Sequence, residues 1–119
     1  MADSVLRDNS KEFAKEIVLL CRKMKRNGIE SALVNQLLRS GTSVGANIHE
    51  AQYAQGTKDF ISKLEISLKE CNESAYWLEL LKDTESISIE EFEKFQKYCI
   101  ELRRMLVASV TTLKNKSNN

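Results

Sequence analysis

Apolar residues recur every three or four positions through most of the chain, and this spacing restricts the possible folds more than any other feature of the sequence. In the second half the repeat is strict over two stretches, which are Ile61, Leu64, Leu68, Cys71, Ala75 and Leu78, and then Phe92, Phe95, Cys99, Leu102, Leu106, Ser109 and Leu113. Positions three and four apart share one face of an α-helix. Each stretch therefore predicts an amphipathic helix whose apolar face forms the seam of a bundle.

The first half of the chain predicts two further amphipathic helices. Their apolar faces carry Phe13, Ile17, Leu20, Cys21 and Met24, and then Leu33, Leu37, Val44, Ile48 and Ala51. Asn9 and Glu12 resemble a capping box and predict that the first helix begins near residue 9 or 10, while Ser88 and Glu91 form a capping box for the fourth. The expected helices cover approximately residues 10–27, 31–55, 58–83 and 89–114. Residues 40–45 have low helix propensity and are the point at which the second helix could divide.

Composition and length then select the architecture. The sequence has no proline and 4 glycines, so it lacks the turn residues that small β-sandwiches and barrels require. A chain of 119 residues corresponds to one domain. Because the connections are short, consecutive helices should pack antiparallel. We therefore expect an all-α protein with a single domain, residues 1–119, folded as an up-down-up-down antiparallel four-helix bundle.

Charge is balanced overall but segregated along the chain. The formal net charge is +1, from 18 basic and 17 acidic side chains. Residues 1–28 and 94–119 carry net charges of +3 and +5, whereas residues 57–93 carry −6. Such segregation is compatible with a basic docking face, with salt bridges inside one fold, or with complementary surfaces between subunits.

The outward positions of the first and fourth helices carry the candidate nucleic-acid-binding residues. These are Lys11, Lys15, Arg22, Arg26, Lys97 and Arg104. The first and last helices are neighbours in an up-down bundle, so their basic residues could merge into one strip that binds phosphates without reading sequence. Solvated helix faces also commonly carry such charges, and acidic residues are interspersed here.

Motifs for catalysis or metal binding are missing from the sequence. The one histidine, His49, belongs to no H-E-x-x-H or Glu-x-x-His pattern. The sequence also has no C-x-x-C motif. Residues 41–45 have the G-x-S-x-G spacing, but the strand that precedes a nucleophile elbow is not predicted here. We therefore expect no enzymatic activity, no metal and no cofactor. Cys21, Cys71 and Cys99 each fall on an apolar stripe and are expected to be buried free thiols. No signal peptide or membrane span is evident, which predicts a cytoplasmic protein without membrane contact.

Two features of the sequence suggest contacts beyond one bundle. Ile66, Trp77 and Leu80 fall on the back of the third helix, opposite its apolar stripe, and form a candidate oligomer interface. On the flank of the second helix, Arg39, Ser43, Asn47 and Glu50 occur among Gly41, Gly45 and Ala46. Small residues allow a close helix crossing, and the polar groups beside it require partners elsewhere, either in a structural network or in a ligand or catalytic site.

The second helix also carries a family resemblance. The run LRSGTSVGANIHEA at residues 38–51, followed by Asp59 and Phe60 and by SLKE at residues 67–70, resembles the bacterial four-helix bundle family. This family is also called the 23S ribosomal RNA intervening sequence protein family. The resemblance covers nearly the whole chain and implies that the second helix is continuous despite its glycines.

The resemblance extends to function and assembly. Members are similar to the accessory variability determinant of diversity-generating retroelements, a homopentamer that engages a reverse transcriptase and nucleic acid. The resemblance implies that this chain forms a homo-oligomer, and specifically a pentamer. The family-motif residues would then be structural or interface residues, namely Arg39, Ser43, Asn47, Glu50 and Glu70.

These observations lead to one principal hypothesis. The chain is expected to be a non-enzymatic oligomeric bundle that binds RNA, DNA or a nucleic-acid enzyme through basic faces of the first and fourth helices. The alternative is a scaffold or adaptor that contacts only protein, with the third helix as its docking surface. An enzyme that uses Glu50 is the third possibility.

Overall fold

The chain folds into four long helices, which the computed structural model describes over residues 3–117. They are α1 (Asp3–Arg26), α2 (Ser31–Ala51), α3 (Thr57–Asp83) and α4 (Ile89–Ser117), with no strand within the described range. Each helix packs against the two that adjoin it in a ring, α1 on α2, α2 on α3, α3 on α4 and α4 on α1, and the backbones of the diagonal pairs lie farther apart. The result is an all-α four-helix bundle of 52 × 22 × 20 Å, as the apolar spacing predicts.

Contacts between the helices run in opposite numerical order and show that the neighbours are antiparallel. Between α2 and α3, Ser40 meets Ser74 while Val44 meets Ser67. Between α1 and α4, Glu16 pairs with Lys94 and the later residue Lys23 pairs with the earlier residue Glu91. This order is the one that short connections between consecutive helices require.

The start of α1 differs from the sequence prediction of residue 9 or 10. The helix begins at Asp3, and Asn9 therefore lies in its interior rather than at a cap. Leu6 is 2% exposed and Ser10 is buried, with the Ser10 hydroxyl donating to the Arg7 carbonyl at 2.9 Å. The apolar stripe thus continues for one more turn toward the N-terminus, and its burial outweighs the local capping signal.

The connection after α2 is longer than predicted, because α2 ends at Ala51 rather than near residue 55. Gly56 has a φ of +110°, a conformation that glycine adopts more readily than other residues. The Asp59 carboxylate accepts a hydrogen bond from the Gln55 backbone N–H at 3.1 Å. These two features close a short turn before α3.

The capping box of α4 is present as predicted, with Glu91 N–H donating to the Ser88 hydroxyl at 3.0 Å and Ser88 N–H donating to the Glu91 carboxylate at 2.9 Å.

Helix α2 is continuous through residues 40–45 because its two glycines let α1 approach closely. A Cβ atom on Gly41 would lie 2.9 Å from side-chain carbons of Ile17, and one on Gly45 would lie 3.2 Å from the Ser10 carbonyl oxygen. The opposite side of the same segment faces α3, where the Ser67 hydroxyl donates to the Val44 carbonyl at 2.8 Å. Packing on both sides therefore holds as a helix a segment whose propensity alone is poor.

Candidate functional site

The six basic residues predicted to bind nucleic acid are all exposed on the outside of the bundle. On α1, Lys11, Lys15, Arg22 and Arg26 make no ion pair with any residue that the structure describes. Their positions span about 22 Å of helix axis at the usual rise of an α-helix. On α4, Lys97 is also unpaired within residues 3–117, whereas the Arg104 guanidinium donates to Glu101 at 2.6 Å.

The groove between α1 and α4 holds paired charges of both signs instead of an unbroken basic strip. Lys94 donates to Glu16, and this bond, with the charge of Glu12 nearby, raises the pKa of Lys94 above its usual value. Burial and the same two carboxylates raise the pKa of Tyr98 beside them. Carboxylates therefore lie among the basic residues of α1 and α4. Of the candidate binding residues, more on α1 than on α4 make no ion pair with the described residues.

Arg39 lies at the centre of a polar cluster on the outer edge of α2 and α3. Its guanidinium donates to Glu70 at 3.0 Å and also to Glu73. The indole N–H of Trp77 donates to the same carboxylate of Glu73 at 3.0 Å. Hydrogen bonds from Trp77 and then from Arg39 hold the pKa of Glu73 below its usual value. We call Arg39, Glu70, Glu73 and Trp77 the α2–α3 cluster.

The remaining family-motif residues follow α2 beside this cluster. The Ser43 hydroxyl donates to the Arg39 carbonyl at 2.6 Å, and the Asn47 amide donates to the Ser43 carbonyl at 2.8 Å, so both bonds stay within the helix. Glu50 is exposed, and its carboxylate makes no hydrogen bond or ion pair with the described residues. The sequence predicts that the polar side chains on the flank of α2 have partners elsewhere. Arg39 has such partners in two carboxylates of α3, whereas the carboxylate of Glu50 has none among the described residues of one bundle.

The candidate oligomer interface on α3 is less exposed than the helical positions predicted. Ile66 is 40% exposed, but Trp77 and Leu80 are half-buried. Trp77 packs against the core, its indole N–H donates to Glu73 of the same helix, and its ring meets that of exposed Tyr76 edge-on at 5.0 Å. Trp77 is thus partly buried within one bundle, so its partial burial does not by itself require a second chain.

Sequence reasoning did not identify Glu73 or Tyr76 as part of this surface. Glu73 lies three residues after Glu70, so the two carboxylates share one face of α3. Arg39 has no partner in its own helix, so two carboxylates three residues apart on a neighbouring helix are the signal that could have identified Glu73. Tyr76 carries no comparable signal, because an isolated exposed tyrosine is common on helix surfaces.

Two open grooves lie at opposite ends of the bundle, and neither is lined by a candidate binding, family-motif or interface residue. One has a volume of about 880 Å³ beside the α3–α4 turn and includes the Lys23–Glu91 ion pair. The other has a volume of about 740 Å³ and is lined mainly by small and apolar residues of the α2–α3 turn and α4, with Phe60 and Leu113 among them. Within residues 3–117 no group of three or more potential metal ligands comes together, and no described helix is long and apolar enough to cross a membrane.

Fold and surface together define a four-helix bundle protein with a polar cluster on one edge and basic residues along its first helix. The chain belongs to the 23S rRNA-intervening sequence protein family, whose model matches residues 3–108. The crystal structure of a protein of unknown function from the S23 ribosomal protein family of Bacteroides thetaiotaomicron VPI-5482 is similar, with 46% identity and a TM-score of 0.90. The similarity covers 93% of this chain and 99% of the other. No curated protein matches the chain.

Proposed function

We propose that the protein is a non-enzymatic oligomeric bundle that binds nucleic acid, or an enzyme acting on nucleic acid, through the basic outer face of α1. The observation that carries this proposal is the row of Lys11, Lys15, Arg22 and Arg26, which are exposed and not ion-paired within the described part of the chain. Charges already bonded to a carboxylate must lose that partner before they can bind phosphate. These four need not, so they can neutralise phosphates and release counterions directly.

A homo-oligomer, specifically a pentamer, strengthens this proposal by repeating the basic face. One copy with four basic contacts would bind weakly at moderate salt. Several copies that engage the same strand or duplex act as one multivalent ligand, so the overall affinity rises without any new kind of contact. The exposed part of α3 around Ile66 and Tyr76 supports the assembly, since large apolar side chains are enriched in interface cores.

Salt-dependent binding tests the proposal directly. Binding of the intact protein to a labelled RNA and DNA pool should weaken by at least about 100-fold between about 50 and 200 mM salt, which is the value for the four phosphates of one copy, and by more if several copies engage the same strand. The double variant Lys15→Glu and Arg22→Glu should abolish binding at the lower salt concentration. The control Lys58→Glu and Lys69→Glu makes the same change in net charge on α3, where both side chains are exposed, and should retain most of the binding.

The competing function is a protein scaffold that docks through α3, and the observation in its favour is that two large side chains of this helix, Ile66 and Tyr76, are each exposed. Docking through an apolar surface should respond little to salt. Absence of nucleic-acid binding at low salt, or equal loss in both double variants, would favour the scaffold. If the wild-type protein turned over a substrate and Glu50→Gln lost that activity while assembly stayed intact, the protein would instead be an enzyme.

A further inference from the structure

Two of the three cysteines face each other across the buried seam between α3 and α4. Cys71 of α3 and Cys99 of α4 are 1% and 4% exposed. The Sγ of Cys71 lies 3.5 Å from the backbone carbonyl oxygen of Cys99, so the first sulfur reaches the backbone that bears the second. This contact makes the two residues neighbours across the seam, which a disulfide needs, and the bond itself further requires Cβ atoms about 3.5–4.5 Å apart.

The two thiols also interact electrostatically. Their mutual hydrogen bond lowers the pKa of Cys71 and raises that of Cys99, and the positive charge of Arg103 favours the thiolate at both positions. Exchange with a disulfide begins by attack of a thiolate. Cys71 is therefore the residue of the pair that is suited to attack first.

Cys21 provides an internal comparison, because it is buried without a thiol partner. Its thiol is directed to the Val34 carbonyl at 3.7 Å, at the contact of α1 with α2. Burial raises its pKa to about 11. Any chemistry specific to the facing pair should leave Cys21 unchanged.

We propose that Cys71 and Cys99 form a reversible disulfide within one chain when the protein meets a small disulfide oxidant such as oxidised glutathione. The Cys71 thiolate attacks one sulfur of the oxidant, forms a mixed disulfide and releases one glutathione thiolate. The Cys99 thiol then loses its proton, attacks the Cys71 sulfur and releases the second glutathione as a thiol. The chain loses two electrons and two protons in total, and the oxidant is reduced to two thiols.

The bond joins α3 to α4 and reduces the freedom of the unfolded chain. Access to the pair requires a brief local opening of the α3–α4 seam, so oxidation should be slow in the folded protein and should stabilise it once complete. The increase in melting temperature should be about 10–15 °C for a loop of about 29 residues in a domain of this size.

The test incubates the wild-type protein with oxidised glutathione in native buffer, alkylates the remaining thiols after unfolding and maps the peptides. The expected product is a monomeric chain with residues 71 and 99 cross-linked and Cys21 alkylated, and reduction should reverse both the cross-link and the melting shift. The proposal is wrong if no cross-link forms, if Cys21 takes part, or if the bond appears only in denaturant.

Single substitutions test whether the rise in melting temperature on oxidation comes from Cys71 and Cys99. Cys21→Ala should retain the melting shift, whereas Cys99→Ser should lose it. A shift that persists in Cys99→Ser would contradict the proposal. If Cys99→Ser does not fold, the peptide map of the wild-type protein still decides the outcome, because it requires no substitution.

Discussion

At the scale of single residues, Gly41 shows how one missing side chain sets the approach of two helices. A Cβ atom at this position would lie 2.9 Å from two side-chain carbons of Ile17. We expect Gly41→Ala to cost about 1–3 kcal/mol through overpacking, partly offset by the gain of about 1 kcal/mol in helix propensity. Denaturant unfolding measures the net loss.

A double variant identifies the cause of that loss. In an Ile17→Ala background the added methyl group has space, so Gly41→Ala should be neutral or stabilising there. An equal cost in both backgrounds would show that the contact with Ile17 is not the reason for the glycine.

Glu91 makes stability depend on pH. Its carboxylate accepts hydrogen bonds from Lys23 and from the Ser88 backbone, and these bonds hold its pKa below the usual value in the folded protein. A carboxylate with a lowered folded pKa contributes stability above its unfolded pKa, near 4.3, and loses it as pH falls through the folded value.

Glu91→Gln should therefore lower the free energy of unfolding by about 1 kcal/mol at pH 7, and the difference from wild type should shrink below about pH 4. Urea unfolding over a pH series measures this change. Glu90→Gln removes a charge from the same helical turn without these hydrogen bonds and serves as the control. A difference that stays constant down to acid pH would exclude the ionised carboxylate as its source.

At the scale of elements, the N-terminal turn of α1 is the clearest difference between sequence and structure. Leu6→Ala should destabilise the protein by about 2 kcal/mol, because Leu6 is 2% exposed and belongs to the core. Val5→Ala, one residue earlier and 55% exposed, should change stability by less than about 0.5 kcal/mol. Equal small effects in thermal unfolding would indicate that α1 begins near residue 10 after all.

The number of helices and the positions of the two later helices follow from the sequence, because the apolar stripes that include Leu64 and Leu78 in one and Leu102 in the other repeat every three or four residues, as a helix requires. The start of α1 does not follow, because a local capping signal at Asn9 competes with burial of Leu6, and burial depends on the neighbouring helices. The pairing of Arg39 with Glu70 and Glu73 depends on the register of α2 against α3, which the sequence pattern of either helix alone does not contain.

At the scale of the whole molecule, Ile66 distinguishes an assembled protein from a single bundle. It is 40% exposed, so Ile66→Glu should leave the fold intact while preventing apolar contact through α3. We expect light scattering after size exclusion to show an oligomer for the wild type and a smaller species for this variant. Ile100→Glu on α4 is the matched control and should remain assembled. A monomeric wild type would remove the pentamer from the proposed function.

Trp77 is the one tryptophan in the sequence, and its indole is bonded to a carboxylate of the α2–α3 cluster. The protein therefore contains an intrinsic fluorophore at the edge where α2 meets α3. The emission wavelength of an indole responds to the charges and water around it, so a partner that covers this edge or separates Arg39 from Glu73 should change the emission of Trp77 without an added dye.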